Sequence, residues 1–166
     1  MNNKGQFFSP DLLIAISIFL VILGFFFYSS NSVFSQIDFF EIKKDADEVS
    51  HSTMNILVYS PGVPFNWEEK SLADTNLFGL ALNRNVISQE KLVALITDLN
   101  NSYSQTKSKL GFGRYDFKLQ LLDLNGSVLY TSYLDSNNTK LEIIYERTVL
   151  FNEQIAVLRG VVGLEK

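Results

Sequence analysis

The chain carries a long uncharged apolar run near its N-terminus, within residues 5–28, which have the sequence GQFFSPDLLIAISIFLVILGFFFY. From Leu12 to Tyr28 only Ser17 and Gly24 interrupt the run, and neither is charged. A membrane span needs roughly 20 apolar residues, so this run lies at the short end of the range. It has no polar face to present to water, as a surface helix of a soluble domain would. The segment therefore predicts a helix that lies in a membrane or among similar helices.

The start of this helix is marked by local signals, and its processing has more than one interpretation. Ser9 suits the N-cap, Pro10 suits the first helical position, and Asp11 places a negative charge where the helix dipole favours it. A cleavable secretory signal has an apolar core of about 7–15 residues and then a small-residue cleavage site. Here the run is longer and Ser29-Ser30 is a weak cleavage site, so an uncleaved signal anchor is the second interpretation.

Lys4-Gly5-Gln6 precedes the helix and supports a third interpretation. Together with the acid at Asp11, it resembles the prepilin leader, or class III signal peptide, of archaeal type IV pilin-like proteins. The resemblance implies that a prepilin peptidase cuts between Gly5 and Gln6 on the cytoplasmic side of the membrane. The family usually has Glu at the fifth residue of the processed chain, whereas this sequence has Pro10 there and its acid one residue later.

The same resemblance implies the partners of the chain. In the family the Glu pairs with the new amino group of a neighbouring subunit, so the resemblance assigns that pairing to Asp11. A carboxylate and an ammonium inside lipid each need such a partner. The implied partners are membrane lipid, the prepilin peptidase and other pilin-like subunits.

Composition limits the other possibilities. At 166 residues the chain fits one membrane helix and one domain of ordinary size, and its formal net charge is -4. It has no dense basic patch, which argues against nucleic-acid binding, and no cysteine, which excludes disulfides and thiolate metal sites.

The positive charges that flank the apolar run are unevenly placed. Lys4 flanks the apolar run on one side, while the other side has no Lys or Arg before Lys43-Lys44. This bias predicts a single-pass protein of the cytoplasmic membrane with its C-terminal domain outside. The resemblance adds an extracellular pilus as a location.

The helix is predicted to continue beyond the membrane to about Tyr59. No Pro or Gly occurs between Tyr28 and Pro61, and apolar residues recur at helical spacings. This stripe consists of Val33, Ile37, Phe40, Ile42, Ala46, Val49, Thr53 and Leu57. The predicted parts of the chain are a leader (1–5), a transmembrane or assembly helix (6–30), the outer half of the long helix (31–60) and a C-terminal domain (61–166).

A segment rich in Pro and Gly follows the helix. Ser60-Pro61-Gly62 predicts the helix end. Residues 61–67, PGVPFNW, resemble a Gly-x-Pro-x-Asn-Trp segment of many archaeal pilin-like proteins, in which a Gly-Leu-Ala string (here 79–81) and a Lys-bearing helix come next. Trp67 is either a ligand-stacking residue or a ring that fills one end of the core with its N–H bonded to a backbone carbonyl; the second interpretation is favoured.

The remaining sequence predicts one helix and four strands. The helix begins after the capping residue Ser88 and ends before Gly111. Alternating apolar residues from Tyr115 predict a strand, Asn125-Gly126 predicts a tight hairpin, and two more strands are expected around a turn at Asn152-Glu153. The predicted fold class is α+β: a long hydrophobic N-terminal helix that continues into a domain with a second helix and a four-stranded antiparallel meander.

No catalytic residue, cofactor or metal is predicted. The carboxylates are scattered and no Ser-His-acid set is suggested. His51 follows Asp47 and Glu48 at a spacing that can hold a metal, but a lone His among surface charges is more often solvated. Glu146 and Arg147, which are adjacent in an alternating strand, are expected to form a surface ion pair.

Three Asn-x-Ser/Thr strings, at Asn100, Asn125 and Asn137, are possible glycosylation sites if the domain lies outside the cell. Asn137, on a polar loop tip, is the favoured one, because Asn125 is needed for a tight turn.

The predicted function is structural and non-enzymatic: a type IV pilin-like subunit, and within that family a minor pilin. The alternatives are an uncleaved single-pass, membrane-anchored extracellular binding domain and a membrane-tethered enzyme.

Overall fold

Two compact units make up the chain. The computed structural model describes residues 10–132 and 139–165, and gives the backbone alone at 31–39, 139–141 and 165. The first unit is Met1–Ile42 and the second, which we call the head unit, is Lys43–Lys166. The architecture is α+β, with an N-terminal apolar helix and a C-terminal sheet domain, as the sequence predicted.

The long helix predicted from the sequence is confirmed. Helix α1 spans Pro10–Tyr59 and ends where Pro61 and Gly62 forbid its continuation. Members of the predicted stripe that belong to the head unit are buried or half-buried: Ala46, Val49, Thr53 and Leu57. Ile42, the last residue of the first unit, is exposed.

Two helices stand where the sequence predicted one between Ser88 and Gly111. They are α2, Gln89–Asn101, and α3, Tyr103–Lys109, and a short 3₁₀ helix, Trp67–Glu69, precedes them. The predicted N-cap is confirmed, because the Ser88 hydroxyl accepts a hydrogen bond from the backbone N–H of Lys91 at 3.3 Å. Ser102 separates the two helices because its backbone leaves the helical region, with φ -136° and ψ 45°.

The described strands form one six-stranded sheet of mixed direction, so the predicted four-stranded antiparallel meander is wrong. The strand order is β1-β2-β5-β6-β3-β4, with β2 and β5 parallel and all other neighbours antiparallel. The predicted turns at Asn125-Gly126 and Asn152-Glu153 do join β3 to β4 and β5 to β6. The strands are β1 Ala81–Asn83, β2 Val86–Ile87, β3 Asp116–Leu122, β4 Val128–Thr131, β5 Thr139–Phe151 and β6 Gln154–Glu165.

The meander fails because the last strand, β6, is inserted beside β3. Its register with β3 runs from Asp116 opposite Gly163 to Leu122 opposite Val157. Residues 160–164 are all buried, so both faces of this part of β6 are covered, as expected for a central strand, whereas Ile155 near its start is 53% exposed. Strand β4 is only four residues long and takes the edge of the sheet.

The core of the head unit lies between one face of the sheet and the buried sides of α1 and α2. A close approach occurs at Gly160, where an added Cβ would lie 2.7 Å from the Met54 sulfur of α1. The rings of Phe112 and Phe117 stack with their centroids 4.2 Å apart. The largest fully buried apolar residues are Met54, Leu57, Trp67, Phe78, Leu80, Leu92, Leu95, Leu99, Phe112, Phe117 and Leu119.

The expected ion pair between Glu146 and Arg147 is wrong. Neighbouring residues of a strand point to opposite faces of the sheet, so these two side chains diverge. Glu146 instead pairs with Arg159 on β6, with Nη2 and Oε1 2.7 Å apart. Arg147 turns to the helical side, where its Nε and Nη2 both donate to the Asn55 side-chain oxygen at 3.2 Å.

Candidate functional site

The apolar part of α1 presents its side chains outward on all sides. Pro10–Ser30 is long and apolar enough to cross a membrane, with a mean hydropathy of 2.6, and none of this window is buried by the rest of the chain. By length and composition alone this is weak evidence for anchoring, because a cleaved signal sequence passes the same test. The exposure of these side chains has a physical consequence: in water they need a cover that the first unit does not supply.

The two ends of this span differ in chemistry. Asp11 lies in the first turn of α1 and is exposed, and it is the only Asp, Glu, Lys or Arg between Pro10 and Ser30. The other end is aromatic: Tyr28 is 77% exposed, and the rings of Phe26 and Phe27 meet edge to face at 6.1 Å. Among aromatic residues, Trp and Tyr favour the membrane–water interface, so Tyr28 suits that position. Lys4, Gly5 and Gln6, the predicted processing residues, lie outside the described part of the chain.

Trp67 has the structural role favoured by the sequence. Its side chain is 1% exposed, and its Nε1–H donates to the Gly79 carbonyl at 2.8 Å. The Trp67 and Phe78 rings meet edge to face with centroids 4.9 Å apart. Gly62 (φ 88°) lies against the indole, where any Cβ would collide with it. The ring is enclosed, which leaves no face of it for ligand stacking.

A buried lysine anchors the loop between α1 and β1, residues 60–80, to which Trp67 belongs. Lys91, in the first turn of α2, is 1% exposed, and its ammonium donates to the carbonyls of Pro61 at 2.6 Å and Phe65 at 2.5 Å. The Nζ atom also lies 4.3 Å from the centre of the Phe65 ring and 3.8 Å from Glu68 Oε2. Burial lowers the pKa of Lys91, and the nearby Glu68 opposes that shift. The ammonium is held mainly by main-chain oxygens.

Lys109 anchors the second half of the loop in the same way. Its ammonium donates to the carbonyls of Leu72 at 2.5 Å and Thr75 at 2.7 Å, with Ala73 at 3.4 Å. Unlike Lys91, Lys109 is exposed. The loop between α1 and β1 is therefore held by a lysine from each of the two short helices.

A polar cluster ties the head-unit part of α1 to the start of β3. Asp45 Oδ2 accepts hydrogen bonds from Tyr115 Oη at 2.6 Å and from Arg114 Nη2 at 2.5 Å. These two bonds hold the pKa of Asp45 below its usual value, and the bond from Tyr115 has the larger effect. A second tyrosine, Tyr145 of β5, donates to the Asp47 carboxylate.

The described residues contain no metal site. His51 is exposed and its Nδ1 lies 3.2 Å from the Asn55 amide nitrogen, so its ring is engaged with an uncharged neighbour. No group of three or more His, Asp or Glu side chains in the described segments is placed to hold a metal ion.

The possible glycosylation sites differ in their surroundings. Asn100 lies in the last turn of α2, and Asn125 lies in the turn between β3 and β4; both are exposed. Asn137 falls outside the described residues.

Sequence analysis missed both anchoring lysines and the Asp45 cluster. The resemblance pointed to a Lys-bearing helix, but nothing in the local pattern signals that Lys91 is buried. The partners of these side chains lie far away along the chain: 30 residues for the Lys91–Pro61 bond and 70 for the Tyr115–Asp45 bond.

Comparisons with known proteins assign no family to the chain. No protein-family model matches the sequence, and neither the characterised proteins nor the solved structures that were compared gave a significant match.

Proposed function

We propose that this chain is a type IV pilin-like subunit, of the minor kind, which is processed by prepilin peptidase and assembled into a cell-surface filament or its capping complex. The observation that carries the proposal is the unburied apolar surface of α1 between Pro10 and Ser30.

The energetic argument is that this surface needs a partner. Thirteen large apolar side chains there are exposed: Leu12, Leu13, Ile14, Ile16, Ile18, Phe19, Leu20, Val21, Ile22, Phe25, Phe26, Phe27 and Tyr28. Even at about 1 kcal/mol each, leaving them in water costs as much as the whole stability of a typical domain, roughly 5–15 kcal/mol. Lipid covers them before assembly, and the matching helices of other subunits cover them in a filament.

The charges near the start of α1 fit the same proposal. Cleavage after Gly5 creates an amino group at Gln6, five residues before Asp11 in the sequence. In an apolar surrounding, a carboxylate and an ammonium are stable only when each is paired. Pairing between neighbouring subunits supplies that partner and fixes the register of one helix on the next.

The first experiment determines the N-terminus of the protein from its natural host. Mass spectrometry of the N-terminal peptide is expected to identify Gln6 as the first residue. A Gly5→Val variant is expected to retain residues 1–5 and to be missing from filaments, because the branched side chain blocks the peptidase site.

The matched control is the same substitution at Gly24. An added Cβ at Gly24 meets nothing within 4 Å, so Gly24→Val is expected to leave processing unchanged. Mature protein that keeps its first five residues, and remains as single molecules in the membrane, would contradict the proposal and favour the membrane-anchored binding domain. The ratio of this chain to other subunits in purified filaments tests whether it is a minor component.

A further inference from the structure

The β3–β4 turn is held by the side chain of Asp123 and the backbone of the residues that follow it. The Asp123 carboxylate accepts hydrogen bonds from the backbone N–H groups of Asn125 at 2.9 Å and Ser127 at 2.7 Å. Gly126 supplies the positive φ of 84° and donates its N–H to the Asp123 carbonyl at 3.1 Å. Asn125 takes part in these bonds through its backbone N–H. In the described part of the molecule, the Asn125 amide makes no hydrogen bond.

The Asn125-Gly126-Ser127 string stands in open space. All three residues are exposed, and an added Cβ at Gly126 would meet nothing within 4 Å. The flanking apolar side chains are exposed as well: Leu124 by 69% and Val128 by 50%. A bulky polar group fits here without displacing any part of the fold.

Asn100 offers a poorer acceptor. It lies inside α2, and the Ser102 that completes its string is the residue that separates α2 from α3. A transferase must bend the Asn-x-Ser unit around its catalytic site, which at Asn100 means unwinding the last turn of a packed helix. At the loop tip around Asn125 no helical hydrogen bond has to break.

We propose that Asn125 is the acceptor of an N-linked oligosaccharide. The proposal depends on the outward placement of the head unit under the proposed function. The donor is a polyprenyl-phosphate-linked oligosaccharide. A bond forms between Asn125 Nδ2 and the anomeric carbon, the bond from that carbon to the phosphate oxygen breaks, Nδ2 loses one proton to the transferase base, and the lipid phosphate leaves.

The glycan also protects an open sheet edge. In the described chain β4 is the last strand of the sheet, and its four residues include no charge and no proline, the usual protections of an edge strand. Val128 and Leu129 of this strand are about half exposed, at 50% and 48%. A glycan three residues away from Val128 covers the edge and keeps it from pairing with another chain.

The experiment uses the full-length protein extracted in detergent from its natural host. Cleavage before Asp separates the three possible acceptors into peptides 98–115, 123–134 and 135–166. We expect an oligosaccharide mass on peptide 123–134. A Ser127→Ala variant is expected to lose it completely, while Ser127→Thr keeps it, because only the first destroys the acceptor string. Both variants retain the backbone bonds of Ser127 to Asp123.

Each outcome decides the proposal. An unmodified 123–134 peptide, or a mass addition that survives Ser127→Ala, overturns it. The N-terminal peptide of the same sample keeps the two proposals distinct: a chain that starts at Gln6 without the glycan refutes only this inference, and a glycosylated chain with an intact leader refutes only the pilin function. Sedimentation is expected to find more self-association for Ser127→Ala than for Ser127→Thr, and equal association would overturn the protective role of the glycan.

Discussion

Replacement of Lys91 by methionine is expected to weaken the head unit substantially. Methionine has nearly the same length and keeps the apolar stem, but it removes the ammonium that donates to the Pro61 and Phe65 carbonyls. Both carbonyls then lie at a site from which water is excluded, because Lys91 is only 1% exposed. Buried carbonyls without a donor destabilise the folded state.

The magnitude follows from two opposing effects. Two hydrogen bonds to a charged group contribute about 3–6 kcal/mol together. Removing the ammonium also abolishes its desolvation cost, which is several kcal/mol for a buried ion. Glu68 Oε2, which lies 3.8 Å from the ammonium, is buried and makes no hydrogen bond to the described residues, so the substitution also leaves this oxygen without its counter-charge. The net expectation is a loss of about 2–4 kcal/mol in the free energy of unfolding.

The assay is urea denaturation followed by tryptophan fluorescence. Trp67 is the single tryptophan of the chain, and it comes two residues after Phe65, whose carbonyl Lys91 holds. Its emission therefore reports on the loop that the substitution disturbs. The full-length protein in detergent is used, and the urea midpoint of Lys91→Met is compared with that of the wild type.

Lys109→Met is the matched control. Lys109 also donates to loop carbonyls but is exposed, so water can replace it and the expected loss is below about 1 kcal/mol. A Lys91→Met protein as stable as the Lys109→Met protein would refute the argument that burial makes the Lys91 bonds important. A large loss in both would mean that the ammonium groups act on the loop in some way other than through water exclusion.

Two further substitutions test other contacts of the head unit by the same denaturation assay. Gly79→Ala is expected to cost about 1–3 kcal/mol or more, because its Cβ would collide with the backbone of Ser60, which cannot move aside; a wild-type midpoint would contradict this. Asp45→Asn is expected to lower the urea midpoint at neutral pH. The Tyr115 hydrogen bond lowers the pKa of Asp45 in the folded state, so the stability that the carboxylate contributes is lost when it is protonated. The difference in midpoint between the variant and the wild type should therefore close as the pH falls below 3.8, the ordinary pKa of the group. A gap that stays constant down to strongly acidic pH would show that the Asp45 charge has no part in it.

Local patterns predicted the elements of this fold better than their arrangement. The apolar periodicity predicted α1 to Tyr59, and the Ser88 cap predicted the start of α2. Two Asn-containing turns predicted the β3–β4 and β5–β6 hairpins. These signals depend on residues close together in sequence, where the chain itself enforces the geometry. The turn at Asn152-Glu153 forms with positive φ at both residues, although the second is not glycine.

The order of the strands depends on contacts that sequence patterns do not encode. Strands β1 and β2 have three and two residues, too few to give a period, and β2 joins the sheet through the pairing of Val86 with Leu150. The apolar residues on both faces of β6 do indicate a central strand, which a meander would not provide. That signal was present in the sequence, and the prediction went wrong by placing the strands in chain order.

The anchoring lysines show why the contacts that hold a loop can be hidden in a sequence. Lys91 and Lys109 bind main-chain carbonyls, and every residue has a carbonyl, so no complementary side chain appears in the loop to reveal the contact. A loop of this length without a regular helix or strand is uncommon in a compact domain unless specific contacts order it. Because the hydrogen bonds are made to main-chain carbonyls, the constraint falls on the two lysines and Trp67, while exposed loop side chains such as that of Val63 are free of it. The surface of the loop can therefore change while its backbone stays fixed.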